Sequence, residues 1–150
     1  MSEKKLTKGD RFNMFMRTNL QQASFNYERM HALGMCFDMV PAIKRLYDTK
    51  EEQKEAMNTY TAFFNTEPQV GSIIVGITAG LEEAKANGNE DIDAEAINGI
   101  RAGLMGPLAG IGDTISWSTL MYLFIGLFLP LAKQGNPLGG IGPIVLLTVI

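Results

Sequence analysis

Hydrophobic positions change their spacing from one region of this chain to the next. In residues 11–47 they recur at three and four: Met30, Leu33, Phe37 and Val40, then Ile43, Leu46 and Tyr47 beyond Pro41. That period predicts helix with breaks, the proline marking one of them. The other side carries Glu28, Arg29, Asp38, Lys44 and Arg45, and the apolar side is rich in methionine and phenylalanine, which adapt to irregular surfaces. Such a stripe is either the core face of a helical bundle or the buried face of a helix lying in a membrane interface; the long apolar run further on favours the interface. Residues 48–60 read as a polar, solvated helix. Residues 63–69, FFNTEPQ, are turn-like, and residues 70–81 are apolar over a length too short to span a bilayer, suited to a buried helix or a re-entrant half-helix.

Residues 85–93, with Asn87-Gly88-Asn89, predict a loop, and Asp93 is the candidate N-cap of a helix starting near Ala94. In that helix Gly99, Gly103, Gly106 and Gly110 fall at spacings of four, three and four, so they share one face. Small residues let helices approach closely in lipid. Pro107 removes a backbone donor and Gly110-Ile111-Gly112 loosens the chain, so a break is expected over 94–112. Asp113 is the single charge in the 31 residues between Arg101 and Lys133. The stretch 114–132 is uncharged and long enough to cross a bilayer. A carboxylate at membrane depth needs a partner or a wet cavity, and a broken helix beside one is the layout of transporter binding sites. The plainer alternative is a tight helix–helix contact with no ligand. Residues 141–150 open a further apolar segment that stops mid-run, so a longer protein with a missing C-terminal part is expected.

These patterns predict an all-α membrane protein. Amphipathic helices occupy 1–62, cytoplasmic or interfacial. A membrane domain over 63–150 follows, with half-helix 70–81, broken helix 94–112, span 114–132 and the start of another span at 141–150. Charge sharpens the division. Lys plus Arg against Asp plus Glu is 10 against 8 over residues 1–60, 1 against 7 over 61–100, and 2 against 1 over 101–150. The net charge of −3, without a long basic run, argues against nucleic acid. Twelve basic residues precede the span and only Lys133 follows it, which places the N-terminal side in the cytoplasm. The N-terminus has no apolar core of a signal peptide.

Enzyme chemistry finds no foothold. Gly110-x-Gly112 lacks the third glycine of a dinucleotide fingerprint, since position 115 is Ile115, and no glycine loop leads into Gly-Lys-Ser or Gly-Lys-Thr. Cys36 is the sole cysteine, so neither a disulfide framework nor a thiolate metal site exists. His31, the sole histidine, reads as a packing or interfacial residue rather than a phosphoryl carrier. The acidic residues Glu90, Asp91, Asp93 and Glu95 lack calcium-loop spacing and read as solvated. No cofactor, metal or catalytic residue is expected. The polar candidates for a ligand are Asn65, Thr66, Glu67 and Gln69 beside the short apolar helix, with turn formation as the competing role of Asn65.

Three segments carry a resemblance: residues 24–47 (SFNYERMHALGMCFDMVPAIKRLY), residues 63–68 (FFNTEP) and residues 96–113 (AINGIRAGLMGPLAGIGD). In this order they resemble the enzyme IID component of mannose-type sugar phosphotransferase systems. The resemblance implies a multi-pass subunit of the bacterial cytoplasmic membrane that pairs with enzyme IIC in a hetero-oligomer. The two form the translocation unit for a hexose or related sugar, which enzyme IIB phosphorylates with phosphate from enzyme IIA. It further implies that this subunit carries no phosphoryl group itself, and that some relatives are recognised by bacteriocins and phages, a receptor or scaffold role being the alternative. Two departures stand out. Glu67 replaces a histidine or glutamine common in the family pattern. Gly112-Asp113-Thr114-Ile115-Ser116-Trp117 stands where Gly-Asp-Pro-Ile-Phe-Trp is common. Both lie at segments expected to face sugar or partner subunit, which points to a substrate other than mannose itself: another hexose, an amino sugar or a modified sugar.

Overall fold

The structure, a computed structural model, describes residues 3–149. Its regular elements are helical: α1 (Lys8–Thr18), α2 (Ala32–Leu46), α3 (Lys50–Thr59), α4 (Pro68–Ala86), α5 (Ala94–Ile115), α6 (Met121–Lys133) and α7 (Leu138–Val149), with a 3-10 turn at Gln21–Ser24 and a π-helical turn at Ser116–Leu120. The chain forms two compact units, the first ending at Ala109 and the second beginning at Gly110. α4, grouped by sequence with the membrane segments, packs into the first unit against α1 and α2.

Local sequence sets the helix ends. Thr7 and Asp10 form a reciprocal capping box on α1, and Thr49 and Glu52 repeat it on α3, each supplying acceptors to otherwise unpaired N–H groups. Asp93 Oδ1 accepts from Ala96 N at 2.7 Å, the cap expected for α5. Gly88 and Gly135 end α4 and α6 in the left-handed region, with φ of +89° and +74°. There the missing Cβ lets the chain fold back onto the last carbonyls: Asn89 N donates to Ala84 O and Asn136 N to Leu131 O.

The core of the first unit is one face of α2. Ala32, Met35, Met39, Ala42, Ile43 and Leu46 are all at most 1 % exposed. They pack with Met14, Ala56, Ile74, Val75 and Ile97 in one hydrophobic cluster. This corrects the phase of the sequence reading. The stripe through Leu33 and Phe37 points outward, and Met30 precedes the helix altogether. Pro41 does not interrupt α2. The carbonyl it cannot bond, Phe37 O, accepts from Arg17 Nη1 at 3.0 Å, and the guanidinium stacks on the Phe37 ring at 4.3 Å.

Asp38, which the sequence places opposite the apolar stripe, is fully buried. Its Oδ2 accepts from Gln21 Nε2 at 3.0 Å, while Oδ1 has no partner among the described residues. Gln21 comes this close because its backbone and side chain lie where a Cβ on Gly34 would be. Burial raises the Asp38 carboxyl from an ordinary 3.8 to about 7, against the opposing pull of Arg17 and the Gln21 hydrogen bond. The folded state therefore holds a proton here that the unfolded chain has released. Stability from this group is complete below about pH 4 and declines as pH rises to about 7, by roughly 4 kcal/mol in all. Asp38→Asn is expected to flatten that decline and to raise the unfolding midpoint at pH 8. A mutant whose stability falls between pH 4 and 7 as steeply as the wild type's would show that Asp38 is not the titrating group.

α4 runs past residue 81 to Ala86, because partners take up the charges that would have ended it: Glu82 bonds two tyrosines and Glu83 Oε2 accepts from Leu6 N. α5 is likewise continuous through Pro107, Gly110 and Gly112, so the expected break over 94–112 is absent. Glycine permits a departure from helix but does not force one. The irregularity lies later, in the π turn at Ser116–Leu120.

The second unit holds the end of α5, the π turn and the α6–α7 hairpin. The α6–α7 turn is closed by Asn136, whose Oδ1 accepts from Leu138 N at 3.0 Å. Gly139 and Gly142 let α7 lie directly on Ala132 and Phe128 of α6; a Cβ at either would overlap them. Around this contact Leu123, Leu127, Leu138, Ile141, Ile144 and Val145 are all more than half exposed. The helical run Ala94–Lys133 is long and apolar enough to cross a bilayer, and only 11 % of its most apolar window is buried. The core helix of a soluble protein would be mostly buried, and this run is not.

Candidate functional site

Phe64 marks the place where the three motif segments meet. Its ring is fully buried. Its carbonyl accepts from His31 N at 2.7 Å and its N–H donates to Arg29 O at 3.4 Å, a short parallel bridge to the segment before α2. Met30, on this bridge, has φ of +52°. That left-handed conformation costs a side-chain-bearing residue about 1–2 kcal/mol. Asn26 holds it in place: Met30 N donates to Asn26 O at 2.8 Å, and Asn26 Oδ1 accepts from Glu28 N and Arg29 N.

Arg101 of α5 closes the junction from the other side. Its guanidinium lies over the rings of Phe64 and Tyr60, at 5.2 Å and 5.4 Å. The side chain is 2 % exposed, and Nη1 donates to Thr59 O at 3.2 Å and Asn98 Oδ1 at 2.6 Å. Among the described residues no carboxylate pairs with it, and Nε and Nη2 have no acceptor, so the negative faces of the two rings compensate the buried cation. Tyr60 in turn donates to Glu82 Oε2, and Tyr47 donates to Oε1 at 2.6 Å. Burial first, and then the Glu82 carboxylate, push both phenols above their usual range, so they remain donors. Sequence reasoning passed over Arg101 and Glu82. The available signal was a basic residue inside a glycine-rich apolar helix, with two tyrosines that need acceptors.

The expected sugar-facing loop sits directly on this junction. Asn65 N donates to Met105 Sδ at 3.2 Å and Thr66 Oγ1 to Met105 O at 3.3 Å. Thr66 is buried, its methyl resting on Gly71. Glu67 is buried and caps α4, Oε2 accepting from Val70 N at 2.8 Å, with Pro68 in the first turn. Asn65 and Gln69 are the exposed members of the group.

Asp113 belongs to the second unit, exposed, three residues before the π turn. Around it the hydroxyls serve the backbone: Thr114 Oγ1 donates to Gly110 O at 2.7 Å and Thr119 Oγ1 to Thr114 O at 2.8 Å, the latter across the widened turn. Turns of this kind are frequent at functional sites. The Gly99, Gly103, Gly106 and Gly110 face of α5 is open, a Cβ at each meeting nothing within 4 Å. His31 is buried against the Phe25 ring at 5.1 Å, and burial lowers its basicity.

Comparison with known proteins agrees with this arrangement of motifs. A model of the family described as PTS system mannose/fructose/sorbose family IID component matches residues 5–150. The chain is similar to the sorbose-specific EIID component of Klebsiella pneumoniae, 55% identical over 139 residues covering 93% of this chain and 50% of that protein. It is 53% identical to the mannose-specific EIID component of Escherichia coli (strain K12), covering 92% and 49%, and 46% identical to the fructose permease IID component of Bacillus subtilis (strain 168), covering 91% and 50%. Among solved structures, a chain from the cryoEM structure of the mannose transporter ManYZ in complex with microcin E492 matches with a TM-score of 0.91 at 51% identity, over 98% of this chain and 54% of that one. The chain thus spans about half the length of the curated relatives it matches.

Proposed function

This chain belongs to the mannose/fructose/sorbose-family IID components of the sugar phosphotransferase system, and we propose that it is the membrane subunit that forms, with enzyme IIC, the translocation unit for a hexose or related sugar phosphorylated on entry by IIB, itself charged by IIA. The observation that carries the reading is the family match over residues 5–150. Its membrane location, in the bacterial cytoplasmic membrane with the N-terminus inside, is supported by the apolar helical run Ala94–Lys133 and the lipid-ready surface of the second unit. α7 begins a further span. The open glycine face of α5, with Ile100 beside it, suits close approach by a helix of IIC. In the first unit Asn65 and Gln69 are the polar groups offered to a sugar, while Thr66 and Glu67 hold the loop in shape; in the second unit Asp113 is a candidate by itself. Nothing in the chain acts as a phosphoryl carrier in this scheme. A bacteriocin-receptor role is the second reading, favoured by the microcin bound in the similar ManYZ complex.

The test is phosphoenolpyruvate-dependent uptake of labelled sugars in cells holding the partner proteins, with and without the full-length gene. Uptake of one sugar class is expected to vanish on deletion. In the complemented strain, Asp113→Asn is expected to slow that uptake about tenfold, the ~1.4 kcal/mol of one charge-assisted hydrogen bond. Normal uptake of every sugar without the gene would sink the transport reading, and full-rate transport by an assembled Asp113→Asn protein would remove Asp113 from it.

A further inference from the structure

Along the seam between α1 and α4 runs a cavity of about 320 Å³, lined in part by the 70–81 helix that follows the FFNTEPQ turn. Met14 and Phe15 wall it on the α1 side, Val75 and Ala79 on the α4 side, and Gly76 and Gly80 leave its floor open, a Cβ at either meeting nothing within 4 Å. Two polar residues of the lining, Thr18 and Ser72, turn their hydroxyls to carbonyls of their own turns, Phe15 O at 2.7 Å and Gln69 O at 2.8 Å. Two charges remain. Arg11 is exposed, and its guanidinium has no partner among the described residues. Glu83 gives Oε2 to Leu6 N and has Oε1 to spare. Leu6 bonds Glu83 two residues before α1 begins, so the first turn of α1, with Arg11 at its end, starts from the Glu83 end of α4 and the opposite charges share one end of an apolar slot.

We propose that this groove binds one phospholipid whose head carries both a phosphate and a primary ammonium, a phosphatidylethanolamine. An acyl chain lies over Gly76 and Gly80, the phosphate meets Arg11 and the ammonium meets Glu83. A slot that is apolar along its length and carries one cation and one anion at one end matches that molecule in both shape and charge. Continuity with the bilayer comes from Phe12 and Met16, each more than half exposed on α1 beside the groove, and from Phe15 at its edge, where an interfacial helix places its aromatic side chains. The inference rests on the membrane reading above.

The test uses the complete protein, purified with its IIC partner, delipidated in mild detergent and titrated with phosphatidylethanolamine or phosphatidylglycerol under native mass spectrometry. One phosphatidylethanolamine is expected to bind. Gly76→Leu, which fills open space, and Arg11→Ala, at an exposed position, are each expected to weaken it about tenfold or more. Glu83→Gln keeps an acceptor for Leu6 N and is expected to abolish the preference over phosphatidylglycerol. Equal retention by wild type and Gly76→Leu would overturn the proposal, as would binding without preference between the two lipids in the wild type. Protection of the groove by IIC alone, with no lipid bound, would overturn it in favour of a protein helix. Carbonate extraction of the same cells separates the two readings: release of the protein from membranes would defeat the membrane reading, whereas a protein that stays in the membrane but binds no lipid defeats only the groove.

Discussion

Phe64→Ala is expected to open the junction of the three motif segments, at a cost of about 3–5 kcal/mol to the first unit. The ring is fully buried, and its removal takes away one of the two aromatic faces that compensate the Arg101 guanidinium. It also loosens the peptide whose carbonyl holds His31 N and so keeps Met30 at positive φ. Without that anchor the 26–31 turn has reason to relax, because its left-handed residue is unfavourable alone. Trypsin cleavage after Arg29 reads this locally. The rate is expected to rise a hundredfold or more, following the population of the open form. Phe63→Ala, at the half-exposed neighbouring ring, is the control and is expected to leave the rate close to wild type. Equal, small effects from the two substitutions would show that the junction is held by something other than the Phe64 ring.

Glu82→Ala ranks second. The carboxylate is fully buried and accepts from two phenols that burial keeps protonated. Hydrogen bonds to a charged group contribute about 1.5–3 kcal/mol each, and an alanine leaves both tyrosine hydroxyls without an acceptor. A loss of about 3–5 kcal/mol is expected, read as the shift in denaturant midpoint of the complete protein. Glu82→Ala also removes the long contact to Lys85, whose Nζ lies 3.9 Å from Oε1. Glu82→Gln retains one acceptor and offers a donor to the second hydroxyl, so a smaller loss is expected. Combining Glu82→Ala with Tyr60→Phe is expected to cost less than the two singles added, because both remove the same bond. A single-mutant effect below about 0.5 kcal/mol, within the range of ordinary surface changes, would mean the network is incidental.

Helix type, the start of α5 and the family were legible in the sequence because each depends on short-range chemistry. The three- and four-residue spacing, Asp93 and the Asn-Gly turn act within a few residues, and so a helix, its cap and a turn appear where the sequence places them. The motif segments at 24–47, 63–68 and 96–113 identified the family for the same reason: they are contiguous strings. The charge-free stretch from Thr114 to Ala132 likewise marked, by length and composition, part of the helical run long and apolar enough to cross a bilayer.

Tertiary structure alone decided which face of each helix turns inward and which breakers break. Apolar residues of α2 fall on more than one face, so period without phase could not choose between Leu33 with Phe37 and Met35 with Met39; contacts from α1, α3 and α4 made the choice. Pro41 stays inside its helix because Arg17, some twenty residues away, bonds the carbonyl that the proline leaves free. Glu82 stays inside α4 because Tyr47 and Tyr60 supply donors across the core. Glycine spacing named Gly99, Gly103, Gly106 and Gly110, whereas the close approaches within the chain fall at Gly34, Gly71, Gly139 and Gly142. A proline, a carboxylate or a glycine in the sequence states only what the backbone lacks or permits. Whether that lack is filled, or that permission used, depends on atoms brought near by the fold.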